Sequence, residues 1–317
     1  MAPVALRYAP CLRRDCLVAE LKAQVPLNWS PILLARDGTS QGSAPVAAPT
    51  SGSTWAYVCV ATGNAHARGC AVVLRSIART GTPHVLHALL GPGESVGKAE
   101  IEALHALGAV TSKMERTLQV RSESHWSTLS ASKFGVWRLE QYDKILFVDA
   151  DVVVLKPLDS LFDLVDKPGM IAAPQDPVYL VTGPPALVTS LFVAVPSVAT
   201  YEELVETMVN DPAYKTNSMS DSRVARSVFS GSKWVEIPPQ YHMSSWMFEV
   251  RHIPAQRLLN AAHSIHYSGG NKPLYSGVFG GVSSCTSSGR FLWPLWAAMR
   301  ADAVHPRTKV DPLVVAG

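Results

Sequence analysis

Between residues 55 and 148, short apolar runs alternate with segments of helical periodicity, and no other feature constrains the fold as strongly. Strands that alternate with helices assemble into a mostly parallel sheet with helices on both faces. The sequence therefore predicts an α/β fold whose binding sites lie at the carboxyl ends of the strands. We predict strands at 55–62, 84–90, near 109 and at 144–148. We predict a first helix that runs up to Thr80 and is ended by Gly81, and two further helices at 95–107 and 127–141.

Residues 38–53 are typical of a flexible linker, because they carry no charge, no aromatic side chain and seven Gly or Ser residues. We therefore expect an N-terminal extension and linker at 1–53, one folded domain at 54–282 and a C-terminal tail at 283–317. Beyond Pro157 the alternation loosens, and we expect a strand at 188–195, a helix at 201–209 and aromatic-rich loops at 233–248.

The composition excludes several classes of protein. Hydrophobic residues make up 47% of the 317 residues and charged residues 17%, which excludes a disordered chain or a long coiled coil. The 28 Lys and Arg residues outnumber the 25 Asp and Glu residues only slightly and form no basic run, so nucleic acid is not an expected partner. No apolar stretch reaches the roughly 18 residues that cross a bilayer, so we expect no transmembrane segment.

The cysteines and the N-terminus bear on the cellular compartment. The five cysteines are an odd number and include no C-x-x-C pair, which suits a reducing compartment. The first 20 residues contain three arginines but no apolar core of a secretory signal. We therefore expect a cytoplasmic protein, with organelle targeting through residues 1–53 as the alternative.

A buried strand at 144–148 runs directly into two carboxylates, Asp149 and Asp151, separated by one residue. Mn²⁺ and Mg²⁺ take oxygen ligands and share their coordination shell with phosphates in nucleotide sites. A metal there would neutralise the charge that builds on a nucleoside diphosphate as it leaves a sugar. A solvated acidic turn without a metal is the alternative, because Asp-x-Asp is a common tripeptide.

A second motif places His266, Gly269, Gly270 and Lys272 within seven residues, after a short apolar strand. An imidazole can bind a metal, glycine lets backbone N–H groups approach an anion, and lysine offers a positive charge to a diphosphate. A surface turn with an unligated histidine is the alternative interpretation.

The order of these motifs resembles glycosyltransferase family 8, a group of retaining enzymes. The resemblance covers residues 55 to about 279 and begins at a strand and turn, 57–69, similar to the family's uridine-binding segment. It continues through 133–137 and 141–144 to the D-x-D strand and an H-x-x-G-x-x-K-P motif. It implies a single nucleotide-sugar-binding domain of the GT-A type, with a central, mostly parallel, Rossmann-like sheet flanked by helices.

The resemblance also implies an activity: metal-dependent, retaining transfer of a hexose from a UDP-sugar to an acceptor hydroxyl. The acceptor, whether polyol, glycan, lipid or protein, is left open, and a homodimer is compatible with the family. Mn²⁺ is the implied metal, with Mg²⁺ as the alternative, and Asp149, Asp151 and His266 are its implied ligands. Lys133, Asp176 and Asp221 are the implied catalytic residues. The other implied nucleotide contacts are Val60, Thr62, His66, Ala150, Gly269 and Lys272, together with Lys133.

The chain departs from the family where the sugar should lie. Residues 188–191, Val-Thr-Ser-Leu, replace the usual Asn-Ser/Ala-Gly, and residues 221–223, Asp-Ser-Arg, replace Asp-Gln-Gly. His66 takes the place of a tyrosine that stacks on uracil. These departures keep a second hypothesis open, a catalytically degenerate protein of the same fold that binds a nucleotide-sugar or a glycan. Residues 241–245 also have two open interpretations: they line the acceptor cleft, or they pack over the end of the sheet.

Overall fold

The computed structural model describes residues 54–92, 95–114, 131–176, 184–212, 220–249 and 255–268, together with residues 296 and 299. The first half of the chain forms β1 (Trp55–Ala61), α1 (Asn64–Ala78), β2 (Val85–Leu90), α2 (Lys98–Ala106), β3 (Val110–Lys113), a 3₁₀ helix (Ser132–Arg138), β4 (Lys144–Val148) and β5 (Val152–Val154). The second half forms a 3₁₀ helix (Asp159–Leu164), β6 (Ile171–Pro174), β7 (Leu191–Ala194), α3 (Val198–Asn210), α4 (Asp221–Val228), β8 (Trp234–Ile237), β9 (Met243–Ser244), α5 (Ala255–Ala261) and β10 (Ser264–His266), with further single 3₁₀ turns at Gly231–Lys233, Pro239–Tyr241 and Ser245–Glu249.

The central sheet has the strand order β3-β2-β1-β4-β7-β6-β8. Strands β3, β2, β1 and β4 are mutually parallel, and β6 and β8 are parallel to each other. Strand β7 is antiparallel to both of its neighbours, β4 and β6. The mostly parallel α/β sheet expected from the sequence is confirmed, and β4 lies in the middle of it.

Strand β1 is buried on both faces, which explains its continuous apolar sequence. Its alternate side chains enter two different cores. Tyr57 and Cys59 pack on the face that α1 covers, whereas Ala56 and Val58 pack with Phe134 on the opposite face. The sheet therefore holds β1 and the neighbouring β4 rigidly from both sides.

A second, three-stranded sheet has the order β5-β10-β9, with β10 antiparallel to β5 and parallel to β9. The sequence did not predict this sheet, because each of its strands is only two or three residues long. Its core includes Val153, Ile265 and Tyr267, and the buried side chains of Trp296 and Met299 join it.

The structure corrects some predicted boundaries. In the described part of the helix predicted at 127–141, the conformation is a 3₁₀ helix at Ser132–Arg138, with Gly135 at its centre. Glycine weakens an α-helix there, and a Cβ on it would lie 3.1 Å from the sulfur of Met114. The helix predicted at 201–209 begins earlier, at Val198, because the Ser197 side chain caps it by accepting from the Thr200 N–H. Helix α1 ends at Ala78, two residues before the predicted Thr80, and Gly81 lies in the turn that follows, with a φ of 79°.

His87 on β2 is a fully buried histidine in the core. Its two ring nitrogens lie 2.8 Å from the Tyr142 hydroxyl and 2.7 Å from the Ser112 hydroxyl. Burial lowers the pKa of His87 to about 4, because the charged imidazolium is poorly solvated in the core. The side chain is therefore a neutral hydrogen-bonding link between β2, β3 and the segment before β4.

Two further observations concern the compartment. Cys59 on β1 and Cys70 on α1 are joined by a disulfide across the strand–helix interface, a pair that the cysteine spacing did not predict. The expected cytoplasmic location stays a prediction. Within the described residues, no helix combines the length and the apolar character that crossing a membrane requires.

Candidate active site

Two acidic side chains lie at the carboxyl end of β4, in the turn that leads to β5. The N–H of Asp149 donates to the Ser190 carbonyl at 2.9 Å, and the Asp149 carbonyl accepts from the Val152 N–H at 3.2 Å. Asp151 is buried, whereas 27% of the Asp149 side chain is exposed. The turn thus holds both carboxylates at the strand end where the α/β fold predicts a site.

Strand β10 brings the imidazole of His266 to the same turn. His266 pairs with Val152 in the antiparallel ladder, and the next N–H, of Tyr267, donates to the Asp151 carbonyl at 2.9 Å. His266 Nε2 lies 3.4 Å from Asp151 Oδ1. One ligand atom from each of Asp149, Asp151 and His266 lies within 4.8 Å of the others. The three predicted metal ligands therefore lie together.

The donor set of this cluster fits the expected metal. Two carboxylates supply the oxygen ligands and the negative charge that a divalent cation requires. Carboxylate oxygens suit Mg²⁺ and Mn²⁺ alike, whereas an added imidazole nitrogen favours the softer Mn²⁺. In the part of the chain that the structure describes, this is the one cluster of three such side chains close enough to share an ion.

Helix α1 packs directly on the turn between the two acids. A Cβ on Gly69 would lie 2.4 Å from the Ala150 carbonyl oxygen and 3.0 Å from the Ala150 methyl carbon. No side chain fits into that space, so glycine is required for the approach. Ala150, which the resemblance placed at the nucleotide, is buried with its methyl group towards this helix.

Lys133 is a buried cation beside the predicted metal ligands. Its Nζ lies 3.1 Å from Asp149 Oδ1 and 2.6 Å from Asp221 Oδ2, and it donates to the Thr189 carbonyl at 3.2 Å. Burial alone lowers the pKa of Lys133, but the carboxylates of Asp149 and Asp221 outweigh it and raise that pKa above its ordinary value. The side chain therefore stays protonated and bridges two carboxylates.

Asp221 begins helix α4, which Ser220 caps by accepting from the Arg223 N–H. Its carboxylate accepts hydrogen bonds from Lys133 and from the Thr189 hydroxyl. Burial raises the pKa of Asp221, but Lys133 and these hydrogen bonds lower it further, so that the net shift is downward. Asp221 is thus an ionised, buried carboxylate that contacts the same lysine, Lys133, as Asp149 does. Burial raises the pKa of Asp149, and the charge of Lys133 opposes that rise.

Asp176, the third predicted catalytic residue, follows the end of β6 and has a different cation as its partner. Arg226 Nη2 lies 2.8 Å from Asp176 Oδ2, and Arg226 Nε donates to the Leu187 carbonyl at 2.8 Å. Asp221 therefore belongs to α4, and Asp176 contacts α4 through Arg226. Lys133 bridges Asp221 to the predicted metal ligand Asp149, whereas the ion pair of Asp176 is with Arg226.

The residues expected at the uridine lie at the carboxyl end of β1. The Thr62 hydroxyl and His66 Nδ1 are 2.8 Å apart, and Val60 is half-buried just before them. Because β1 and β4 are parallel neighbours, these residues and the D-x-D turn share one edge of the sheet. The implied diphosphate contacts, Gly269 and Lys272, lie outside the described residues.

His242 also belongs to this arrangement, and the sequence does not indicate its part in it. His242 is buried, and its ring stacks on that of His266 with 5.1 Å between the centroids and 28° between the planes. Burial and the neighbouring His266 lower the pKa of His242. Of the two interpretations of 241–245, the structure supports packing for His242. Nothing in the local sequence signals this contact, because it depends on the pairing of β9 with β10.

Comparison with known proteins agrees with the resemblance. The sequence model of Glycosyl transferase family 8 matches residues 59–222, more than half of the chain but short of His266. Glycogenin-1 of Caenorhabditis elegans is 25% identical over 231 residues, which are 69% of this chain and 51% of that protein. UDP-glucuronate:xylan alpha-glucuronosyltransferase 2 of Arabidopsis thaliana is 32% identical over 35% of this chain and 17% of its own length. The chain thus spans about half the length of the glycogenin relative.

A solved structure shares the fold. The galactosyltransferase LgtC, determined in complex with donor and acceptor sugar analogues, superposes with a TM-score of 0.57 at 14% sequence identity. The match covers 80% of this chain and 98% of that one. At this identity the similarity concerns the fold alone, which is the GT-A fold with its mostly parallel central sheet.

Proposed function

This chain belongs to glycosyltransferase family 8, and from that membership we propose that it is a retaining hexosyltransferase. It moves a hexose from a UDP-sugar to an acceptor hydroxyl with the help of a divalent metal, Mn²⁺ or Mg²⁺. The observation that carries the proposal is the convergence of Asp149, Asp151 and His266 beside the Lys133–Asp221 ion pair, at the carboxyl edge of the sheet. The name of the Arabidopsis relative, which specifies UDP-glucuronate, supports a UDP-sugar as donor.

In the proposed reaction the metal site stabilises the leaving group, the nucleoside diphosphate. A divalent ion bound by Asp149, Asp151 and His266 would supply a Lewis acid for the charge on the departing diphosphate. Lys133 orients Asp149 and favours its charged form, because Lys133 Nζ lies 3.1 Å from Asp149 Oδ1. In this proposal Thr62 and His66 contact the uridine of the donor, and Gly269 and Lys272 contact its diphosphate.

The sugar and the acceptor are assigned to the two remaining carboxylates. Asp221 lies on the same lysine as Asp149, so we place the sugar of the donor beside Asp221. Asp176, held by Arg226, is placed on the acceptor side. Retention requires either attack on the face of the leaving group or a covalent intermediate, and the proposal covers both routes.

One observation favours the second candidate function, binding of a nucleotide-sugar or a glycan without transfer. The Thr189 hydroxyl donates to the Asp221 carboxylate and lies 2.9 Å from the Ser222 hydroxyl. These two residues stand where the family usually has amides. Asp221 therefore has part of its hydrogen-bonding capacity taken by the protein itself, which leaves less of it for a sugar.

Release of UDP from a panel of UDP-sugars tests both candidates. The full chain is incubated with UDP-glucose, UDP-galactose or UDP-glucuronic acid, with Mn²⁺ or with EDTA, beside the Asp149→Asn variant. The hexosyltransferase predicts release from at least one sugar that requires Mn²⁺ and is lost in the variant. Mn²⁺-dependent binding of UDP without release from any sugar would support the binding protein instead.

A further inference from the structure

The buried ring of His242 stacks on the ring of the proposed metal ligand His266, and both ring nitrogens of His242 have hydrogen-bond partners. Nε2 lies 2.7 Å from the Ser190 hydroxyl oxygen, and Nδ1 lies 3.4 Å from the Ser264 hydroxyl oxygen. Ser264 lies two residues before His266 on the same strand, so the two side chains are on the same face of β10.

These contacts define the tautomer of His242. The Ser264 hydroxyl donates its proton to the Tyr241 carbonyl at 2.7 Å, so towards His242 it can only accept. Nδ1 therefore carries the ring proton, and Nε2 accepts from the Ser190 hydroxyl. Both ring nitrogens are then used within the protein, so His242 is not a fourth metal ligand.

Ser190 connects the hydrogen bonds of His242 to Asp149, another proposed metal ligand. Its side chain contacts His242, while its backbone carbonyl accepts from the Asp149 N–H at 2.9 Å. Ser190, immediately before β7, thus contacts the backbone of one proposed ligand, Asp149, and the ring that stacks on another, His266. Ser190 lies in the segment where the chain departs from its family.

We propose that His242, fixed by Ser190 and Ser264, is a positioning residue that holds the His266 ring in place for the metal. The inference rests on the metal site of the proposed function and adds to it the part of the chain that orients the nitrogen ligand. A flat ring stacked at 5.1 Å restricts rotation of its neighbour, and two hydrogen bonds prevent His242 itself from turning. Residues that orient a metal ligand commonly contribute to the affinity for the metal.

A Mn²⁺ titration in the presence of UDP tests the inference without a catalytic assay. Binding is measured as the loss of the electron paramagnetic resonance signal of free Mn²⁺. We expect His242→Ala to raise the dissociation constant of Mn²⁺ about 10-fold, the usual effect of losing such a supporting residue. His242→Phe, which keeps a ring but loses both hydrogen bonds, is expected between the wild type and His242→Ala. Should His242→Ala fail to fold, Ser190→Ala is expected to weaken Mn²⁺ binding by less than about 10-fold, because it removes one hydrogen bond of His242 and keeps the stacked ring.

His87→Ala is the matched control, because His87 is also a fully buried histidine with two hydrogen-bonded ring nitrogens but lies on β2, in the core. It should lower the melting temperature and leave the Mn²⁺ dissociation constant unchanged. Equal Mn²⁺ affinity in the wild type, His242→Ala and Ser190→Ala would overturn the inference and leave the metal site standing. A wild type that binds no Mn²⁺ even with UDP would overturn both the inference and the proposed metal dependence.

Discussion

Lys133 and Asp221 form a buried ion pair with 2.6 Å between Nζ and Oδ2. The same Nζ lies 3.1 Å from Asp149, so one cation neutralises a carboxylate of the metal cluster and a carboxylate at the start of α4. In the absence of Lys133, the buried carboxylate of Asp221 and the partly exposed carboxylate of Asp149 would lose the cation that they share. The local arrangement of the site therefore depends on this lysine for charge balance as well as for hydrogen bonds.

Replacing that lysine should affect folding as well as activity. Lys133→Met leaves Asp149 and Asp221 without their common cation, and we expect the free energy of unfolding in urea to fall by roughly 3 kcal/mol, with UDP release lost. Lys144→Met is the control, because the contacts described for Lys144 Nζ are with neutral groups: it donates to the Phe162 carbonyl at 2.9 Å and lies 5.0 Å from the centre of the Trp55 ring. Its loss should cost about 1 kcal/mol. Equal effects of the two variants would contradict the assigned charge balance.

Acid should destabilise the protein partly through His87. Its pKa is about 4 in the folded state and about 6.5 in the unfolded chain, so the unfolded state binds more protons between these values. The stabilisation is complete above about pH 6.5 and is lost as the pH falls towards 4. From about pH 7.5 to about pH 5 we expect a loss of about 2 kcal/mol from this residue. Urea unfolding of His87→Gln at both pH values should show a smaller decrease than the wild type; parallel curves would argue against the assignment.

Gly69 should be intolerant of even one added methyl group. In an ordinary helix position Gly→Ala stabilises, by about 1 kcal/mol, but here the new Cβ would lie 2.4 Å from the Ala150 carbonyl oxygen. The turn must move, and we expect Gly69→Ala to weaken Mn²⁺ binding about 10-fold. Gly63→Ala at the start of the same helix is the control, since the nearest atom, the Ser95 carbonyl oxygen, is 3.7 Å away. Titration of both variants with Mn²⁺ measures the difference, and an unchanged affinity in Gly69→Ala would refute the packing argument.

Metal should stabilise the folded state through the predicted ligands. A ligand that binds only the folded protein adds about 2.7 kcal/mol when its free concentration is about 100 times its dissociation constant. We expect Mn²⁺ to raise the melting temperature of the wild type and EDTA to reverse the rise. Asp151→Asn should remove the response, whereas Asp166→Asn, at an exposed site on the surface, should keep it. A full response in Asp151→Asn would place the metal elsewhere.

The sequence predicted those parts of the molecule that depend on local pattern. The runs at Trp55–Ala61 and Lys144–Val148 are apolar because both faces of each strand are buried, and the carboxylates that follow could be placed at a strand end without any knowledge of the tertiary structure. The direction of β7 was not predictable in the same way. An apolar run such as Leu191–Ala194 fits a parallel or an antiparallel position equally well.

The contacts that complete the site were beyond local pattern for another reason. The stacking of His242 on His266 arises from the pairing of two strands of two and three residues, which no periodicity can mark. The bridge from Lys133 to Asp149 and Asp221 joins three separate segments, and no sequence motif links them. Such relationships follow from the assembled sheet rather than from any one stretch of the chain.

The ladder between β5 and β10 also determines when the site can exist. It joins Val152, next to the D-x-D turn, to His266, far along the chain. Contacts between distant residues form late, because a long loop must close before they contribute. During synthesis the central sheet can therefore acquire its first four strands and both aspartates well before it has a nitrogen ligand. A chain cut before β10 would keep the acidic turn but lack the imidazole of His266, so under the proposed function we expect Mn²⁺ binding only after translation and folding have both passed β10.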